Sequence, residues 1–503
     1  MTSTAPALSP EKPAVARPLS LEDVLPRKRE LFYDGRWHSP RSGRVVQVSS
    51  PATGEPICEI ADAEVDDVDV AVAAARRGFL EWRDVHPADR AKTLREIGSI
   101  LRRHARELAF LDSADSGNPV REMESDVLSA ATQMDFFAGL VTEMKGASIP
   151  VGPNAVNFSV REPVGVVARI VPFNHPFMFC AGKSAAPLAA GNSVIVKPPE
   201  QAPLSSLRLA ELTGHLLPPG VLNVLPGNRD VGSALVAHPG VAMVALIGSV
   251  PTGRAVMRSA AAGIKPTLVE LGGRNALIAF ADADLKRVAA AIVAGMNFTW
   301  CGQSCGSTSR AFVHDSIHER VIEQVIHEVA AFKPGSPTEP STTMGAIVSK
   351  TQFDRVLSYI EAGKREGARI VHGGGRPSAP ELSRGWFIEP TIFADVTPDM
   401  TIAREELFGP VLSILRWSDE DTMLGAVNNT EFGLTCSIWT NDLNRAHRTA
   451  KRVEAGYVWI NHVGQHLLGA PFGGFKQSGM GREECLEELL SFTQEKNIYL
   501  RLN

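Results

Sequence analysis

Between residues 164 and 271 the chain alternates short, apolar, β-branched runs with helix-patterned stretches, and that alternation leaves few folds open. Val164–Val171, Asn192–Lys197, Val221–Leu225, Val241–Ile247 and Thr267–Leu271 read as strands. Pro176–Ala190, Leu204–Leu217, Asp230–Ala237 and Thr252–Ala262 read as helices. Strands that are apolar on both faces need cover on both faces, so they imply a parallel sheet between two helical layers. Right-handed crossovers then make that sheet doubly wound. A second region repeats the pattern. Its strands are Ala276–Phe280, Ser309–Val313, Ala368–His372 and the runs PVLSILRW and CSIWT. Its helices are Asp284–Met296, Ser316–Ala331, Lys350–Glu366 and one near Asp421–Asn428. The expected class is α/β, with two doubly wound domains side by side. The terminal run Asn497–Leu502 alternates like a strand but has no local partner, so it is expected to add to another sheet, a neighbouring subunit's being one option.

Composition narrows the function. The chain has 503 residues, with 44% hydrophobic and 21% charged, and a net charge of −5. No basic excess draws it to nucleic acid or to an anionic membrane. No apolar run reaches the roughly 18 residues of a membrane span. Six cysteines are scattered along the whole length, too sparse for a disulfide framework, which points to a reducing, cytoplasmic setting. Cys301 and Cys305 lack further ligands at metal spacing, so no metal site is expected. Residues 1–28 are rich in Pro, Ala and Ser and lack an apolar signal core. They read as a disordered arm rather than a secretory signal.

The chemistry concentrates in a few segments. Glu270 ends an apolar strand ahead of Gly272 and Gly273, and Cys305 lies between Gly302, Ser304 and Gly306. A thiol with so little bulk around it suits a nucleophile. Asn174 lies between Pro172 and Pro176 after a buried strand, where a rigid amide can stabilise an oxyanion or simply support a turn. His175 reads as structural. Gly248, Ser249 and Gly253 form a strand-to-helix turn that could cradle a phosphate, although the standard dinucleotide fingerprint is absent. Lys197 and Glu200 lie at the carboxyl edge of the sheet, where ligands bind in such folds.

Together the motifs PFN (172–174), KPPE (197–200), GSVPTG (248–253), ELGG (270–273), GQSC (302–305), EELFGP (405–410) and PFGGFKQSG (471–479) resemble the aldehyde dehydrogenase superfamily from about Leu31 to the C-terminus. The resemblance implies an NAD(P)-dependent, hydrolytic, non-acylating enzyme. Cys305 is then the nucleophile, Glu270 the general base, Asn174 the oxyanion donor and Lys183 an aid to proton relay. Ile170, Pro172, Phe173, Lys197, Glu200, Gly232, Gly248, Ser249, Gly253, Leu271, Glu406 and Phe408 match the cofactor contacts. Glu200 favours NAD over NADP, with NADP kept as an alternative. Phe179, Gly182, Phe298, Thr299, Ser304, His466 and Phe472 match the substrate tunnel. Gly182 stands where many members carry Trp, which implies added volume and a bulky or aromatic aldehyde. Phe173 and Arg274 are milder departures from Trp and Lys. The implied division is a dinucleotide-binding domain of residues 29–142 and 164–273, a catalytic domain of 274–484, and a small β oligomerisation segment of 143–163 and 485–503. A homodimer or homotetramer follows from that segment. A CoA-acylating enzyme and a non-catalytic binding protein are the competing readings.

Overall fold

The computed structural model describes residues 19–502. Its first sheet has eight strands, and the five central ones are parallel. Val166–Ile170 lies in the middle. From it the chain steps outward through Ser193–Lys197 and Leu222–Val224, then returns to the other side through Met243–Gly248 and Thr267–Leu271. The reversal falls between Val166–Ile170 and Met243–Gly248, and a doubly wound sheet opens a crevice at such a point. Val167, Val194, Ala245 and Leu268 pack into one helical layer, while Ala168, Ile195, Val244 and Val269 pack into the other. Each fully buried aliphatic side chain contributes roughly 1.5–3 kcal/mol, which is why continuous apolar strands end up inside.

The second sheet has seven strands and the same logic. Ala276–Ala279 is central, Arg310–His314 and Val411–Trp417 extend one side, and Thr435–Trp439 and Tyr457–Ile460 the other. Only Arg369–His372 runs antiparallel to its neighbour. The two units are joined by more than the chain passing between them. Gly479–Met480 pairs with Thr267–Leu271 in the first sheet and sets Gly479 opposite Glu270. Gly479 has φ 145°, and a Cβ there would strike the Val269 carbonyl, so the strand needs glycine to come this close. Ser478 Oγ donates to the Gly272 carbonyl at 2.7 Å and accepts from the Gly433 amide at 2.9 Å.

A third sheet stands apart, formed by Ser148–Ile149, Ala155–Pro163 and Thr493–Arg501. The terminal strand therefore has its partner within the same chain. It pairs antiparallel with Ala155–Pro163 from Thr493↔Pro163 to Arg501↔Ala155. Local sequence cannot show this, because the partner lies hundreds of residues earlier. At the other end, the expected arm meets structure before residue 28. Leu21–Val24 forms a helical turn and Val24 is buried; the rest of that arm, residues 1–18, lies outside the described residues. Among the described residues no helix is long and apolar enough to cross a membrane.

Candidate active site

The strand Thr267–Leu271 delivers Glu270 to the carboxyl edge of the first sheet, where it is buried. Burial raises its carboxyl to about 8, and the nearby Glu483 carboxylate adds to the rise. The Cys305 thiol lies beside the Glu270 carboxyl on the wall of one cleft. Burial, and then the charge of Glu270, lift that thiol well above its ordinary value. Glu270 Oε1 has no protein partner.

Cys305 rides on a loop between the turn Phe298–Trp300 and the strand Arg310–His314. Asn297, Cys301 and Gly302 take φ of 54°, 54° and 65°, which lets the loop double back. At Gly302 a Cβ would meet the Gly409 carbonyl. Asn275 fastens the loop. Its Nδ2 donates to the carbonyls of Cys305 at 2.7 Å and Ser307 at 3.0 Å, and its Oδ1 accepts from the Thr435 amide at 3.0 Å. The only sequence signal for this role is a polar residue just ahead of a fully apolar strand.

Asn174 follows the strand Val166–Ile170 and is buried. Asn118 Nδ2 donates to its carbonyl at 2.9 Å, and the side-chain Oδ1 has no protein partner. Lys183 lies in the turn Gly182–Ser184, its Nζ 3.1 Å from Glu483 and 3.5 Å from Glu484. Burial alone would lower its pKa, but Glu483, Glu488 and Glu484 overcome this and hold it above the ordinary value. Glu483 also accepts from Arg169 at 2.7 Å. Glu483 and Glu484 sit within the GREE run just past the PFGGFKQSG motif, and only the fold reveals their meeting with Lys183.

The predicted cofactor residues gather along the same edge. Ile170, Pro172 and Phe173 lie at the end of one strand flanking the reversal, and Gly248 and Ser249 at the end of the other. Ser249 caps the helix Val250–Ala262 by accepting from the Thr252 amide at 3.4 Å. Lys197 ends its strand buried, with Nζ 3.7 Å from a half-exposed Glu200. A Cβ at Gly232 would meet only Ile170 Cδ1, at 3.9 Å, so space is left above the sheet. Gly253 and Leu271 play a packing part, since a Cβ at Gly253 would run into the Leu271 side chain. Glu406 accepts from the Gly273 amide at 3.0 Å, and burial raises its carboxyl to about 7. Phe408 meets Phe173 edge to face, with centroids 5.8 Å apart.

A cleft of about 540 Å³ opens above Cys305 and Glu270, a size suited to a small-molecule substrate. Phe179, Ser304, His466 and Phe472 line it as expected, joined by Trp300, Trp459 and Met178. Phe298 does not line it. It is fully buried in the core of the second unit against Phe332. Thr299 is also absent from the wall, where Asn297 and Trp300 take the places on either side. The turn at residues 298–300 puts Phe298 in the core and Trp300 on the cleft wall. The volume expected beside Gly182 is not empty either. Gln133, from the helix Val120–Gly139, fills it, and a Cβ on Gly182 would lie 2.8 Å from Gln133 Oε1. His175, expected to be structural, is on the cleft wall.

Comparison with known proteins gives one consistent result. The model of the aldehyde dehydrogenase family matches residues 37–498. Aldehyde dehydrogenase tropH of Talaromyces stipitatus is 51% identical over 490 residues, covering 96% of this chain and 95% of that protein. A betaine aldehyde dehydrogenase of Brucella anthropi is 41% identical over 477 residues, covering 94% and 98%. Among solved structures, the NAD+ complex of an aldehyde dehydrogenase from Bacillus cereus superposes with a TM-score of 0.92 at 36% identity, covering 96% of this chain and 98% of that one.

Proposed function

The chain belongs to the aldehyde dehydrogenase family, and on that premise we propose that it oxidises a ring-bearing aldehyde to the carboxylic acid with NAD, by way of an acyl group carried on Cys305. The observation that carries this reading is the placement of Cys305 beside the buried Glu270 carboxyl on the wall of one cleft.

The residues at the sheet's carboxyl edge fit a dinucleotide. The open space at Gly232, the helix start at Ser249 and the Lys197–Glu200 pair supply room, amide donors and a ribose-binding carboxylate in turn. A 2′-phosphate would meet the Glu200 carboxylate, which favours NAD over NADP. When bound, the oxidised nicotinamide supplies the hydride acceptor and a positive charge.

The protein's own part begins with the thiol, which must lose its proton to attack. Glu270 accepts that proton. The Cys305 sulfur then bonds to the aldehyde carbon, and the carbonyl oxygen becomes an oxyanion. Asn174 and the Cys305 amide are the groups assigned to stabilise it, each such donor being worth about 3–4 kcal/mol. Loss of hydride from the adduct leaves a thioester on Cys305. Glu270 next deprotonates water, which adds to the thioester carbon. The acid leaves and the sulfur is free again. Lys183, Glu483 and Glu484 offer a route by which the proton departs Glu270. A base beside the thioester favours water over CoA as the acceptor.

We further place the protein in the cytoplasm as a homodimer or homotetramer. In support, the third sheet exposes Val156, Ile498, Tyr499 and Leu500, apolar surface of the kind that a subunit contact covers. The test of the chemistry is direct. Benzaldehyde with NAD should yield NADH and benzoate in equal amounts, and added CoA should yield no benzoyl-CoA. Intact and peptide mass spectrometry of Glu270→Gln should find the acyl group on Cys305. An acyl group elsewhere, or benzoyl-CoA as product, overturns the reading.

A further inference from the structure

Two walls of the cleft carry the same device, a histidine backed by a buried carboxylate, and the thioester chemistry uses neither imidazole. On one wall His175 Nδ1 lies 2.7 Å from Asp126 Oδ2, and on another His466 Nδ1 lies 3.1 Å from Glu484 Oε2. Both carboxylates are themselves buried, with side chains only 7% and 11% exposed. A carboxylate only accepts, so each Nδ1 carries a proton and each ring is left with Nε2 to offer. Aromatic neighbours fix the rings. His175 lies 5.3 Å from Phe179 and 5.2 Å from Trp300, and His466 lies 4.4 Å from Phe472.

We propose that His175 and His466 recognise an anionic oxygen, a carboxylate or phenolate, on the far side of a planar ring-bearing aldehyde whose carbonyl reaches Cys305. This rests on the oxidation assigned above and names its substrate class. A ring protonated at Nδ1 alone has only an acceptor at Nε2, so binding such an oxygen takes up a second proton from solvent. Nδ1–H points to the buried carboxylate, Nε2–H points to the ligand, and charge alternates along the line. The flat aromatic walls select a flat body.

Aromatic rings with carboxylates nearby can also cage a cation. Here both carboxylates are already engaged, Asp126 by His175, and Glu484 by His466 and by Lys183 at 3.5 Å. Glu483, a third carboxylate of the wall beside Glu270, is held by Arg169 and Lys183, so none of the three is left to face a cationic group.

Three aldehydes of one shape decide the matter: para-formylbenzoate, benzaldehyde and para-trimethylammonio-benzaldehyde. In the wild type, kcat/KM for the anion should exceed that for the neutral aldehyde roughly tenfold, the scale of one charge-assisted hydrogen bond. His175→Phe and His466→Phe should each lower that ratio, and the double variant should bring it to about one. A purely structural role would lower all substrates together and leave the ratio standing. As a check that needs no variant, terephthalate should inhibit the wild type more strongly than benzoate by a similar factor. A preference for the cation, or a ratio that survives in the double variant, overturns the proposal. Absence of NADH from every aldehyde overturns the oxidation itself, and the proposal with it.

Discussion

Glu270 has its carboxyl raised to about 8, so near neutral pH most of it carries a proton, and a base must first lose one. The sign of the pH effect follows. Turnover should rise as pH climbs through about 8 and level off above it, where the carboxylate is complete. In Glu270→Gln that inflection should vanish from the kcat profile, along with most of the hydrolysis. Cys305→Ser should lower kcat by roughly 10³-fold or more while NAD still binds, as fluorescence titration would report. Asn275→Ala tests the less obvious residue. It frees the carbonyls of Cys305 and Ser307, and a displacement of about 1 Å at a nucleophile can cost on the order of 10²-fold in kcat. Unchanged steady-state kinetics in that variant would remove Asn275 from its positioning role. Cys305, Glu270 and Asn174 are legible in sequence because each sits in a short motif whose glycines and prolines announce it. Asp126, Glu483 and Glu484 are not, because a buried charge is recognised by its partner and theirs arrive from remote segments.

Elements divide the same way. The strands Ser193–Lys197, Met243–Gly248 and Thr267–Leu271 lie within a residue or two of their sequence readings, since an unbroken apolar run has one place to go. The cleft loop is harder to read. Phe298 lies in the core while Trp300 faces the substrate space. Asn297 takes the left-handed region readily, but Cys301 has no such preference, and it stands next to the close approach of Gly302 to Gly409. Gly302→Ala should therefore be costly, destabilising by about 2–4 kcal/mol in urea unfolding. If the stability were unaltered, the loop would be shown to have slack. Gly182 illustrates the opposite limit. Sequence shows that a side chain is missing but not that Gln133 occupies its place.

At the scale of the molecule, the two sheets and their helical cover follow from pattern, whereas their joining does not. Pairing of Thr493–Arg501 with Ala155–Pro163 builds a platform that exposes Tyr499 on one face and Leu500 on the other. Charging both faces in Tyr499→Asp/Leu500→Asp should shift the mass in solution toward the monomer, which light scattering on a sizing column would register. An unaltered assembly would move the subunit contact elsewhere. The clasp of Gly479–Met480 against the strand that bears Glu270 has a consequence for the order of events during synthesis. The base is made early and its wall late. Until those last residues join, the edge of the first sheet beside Glu270 has no partner, and the carboxylate would face bulk water. A chain cut short just before the clasp would lose with it Glu483, the partner of buried Arg169 and Lys183, and the core residues Leu489 and Phe492, so the last residues that shield the carboxylate also hold the first sheet's helical layer together.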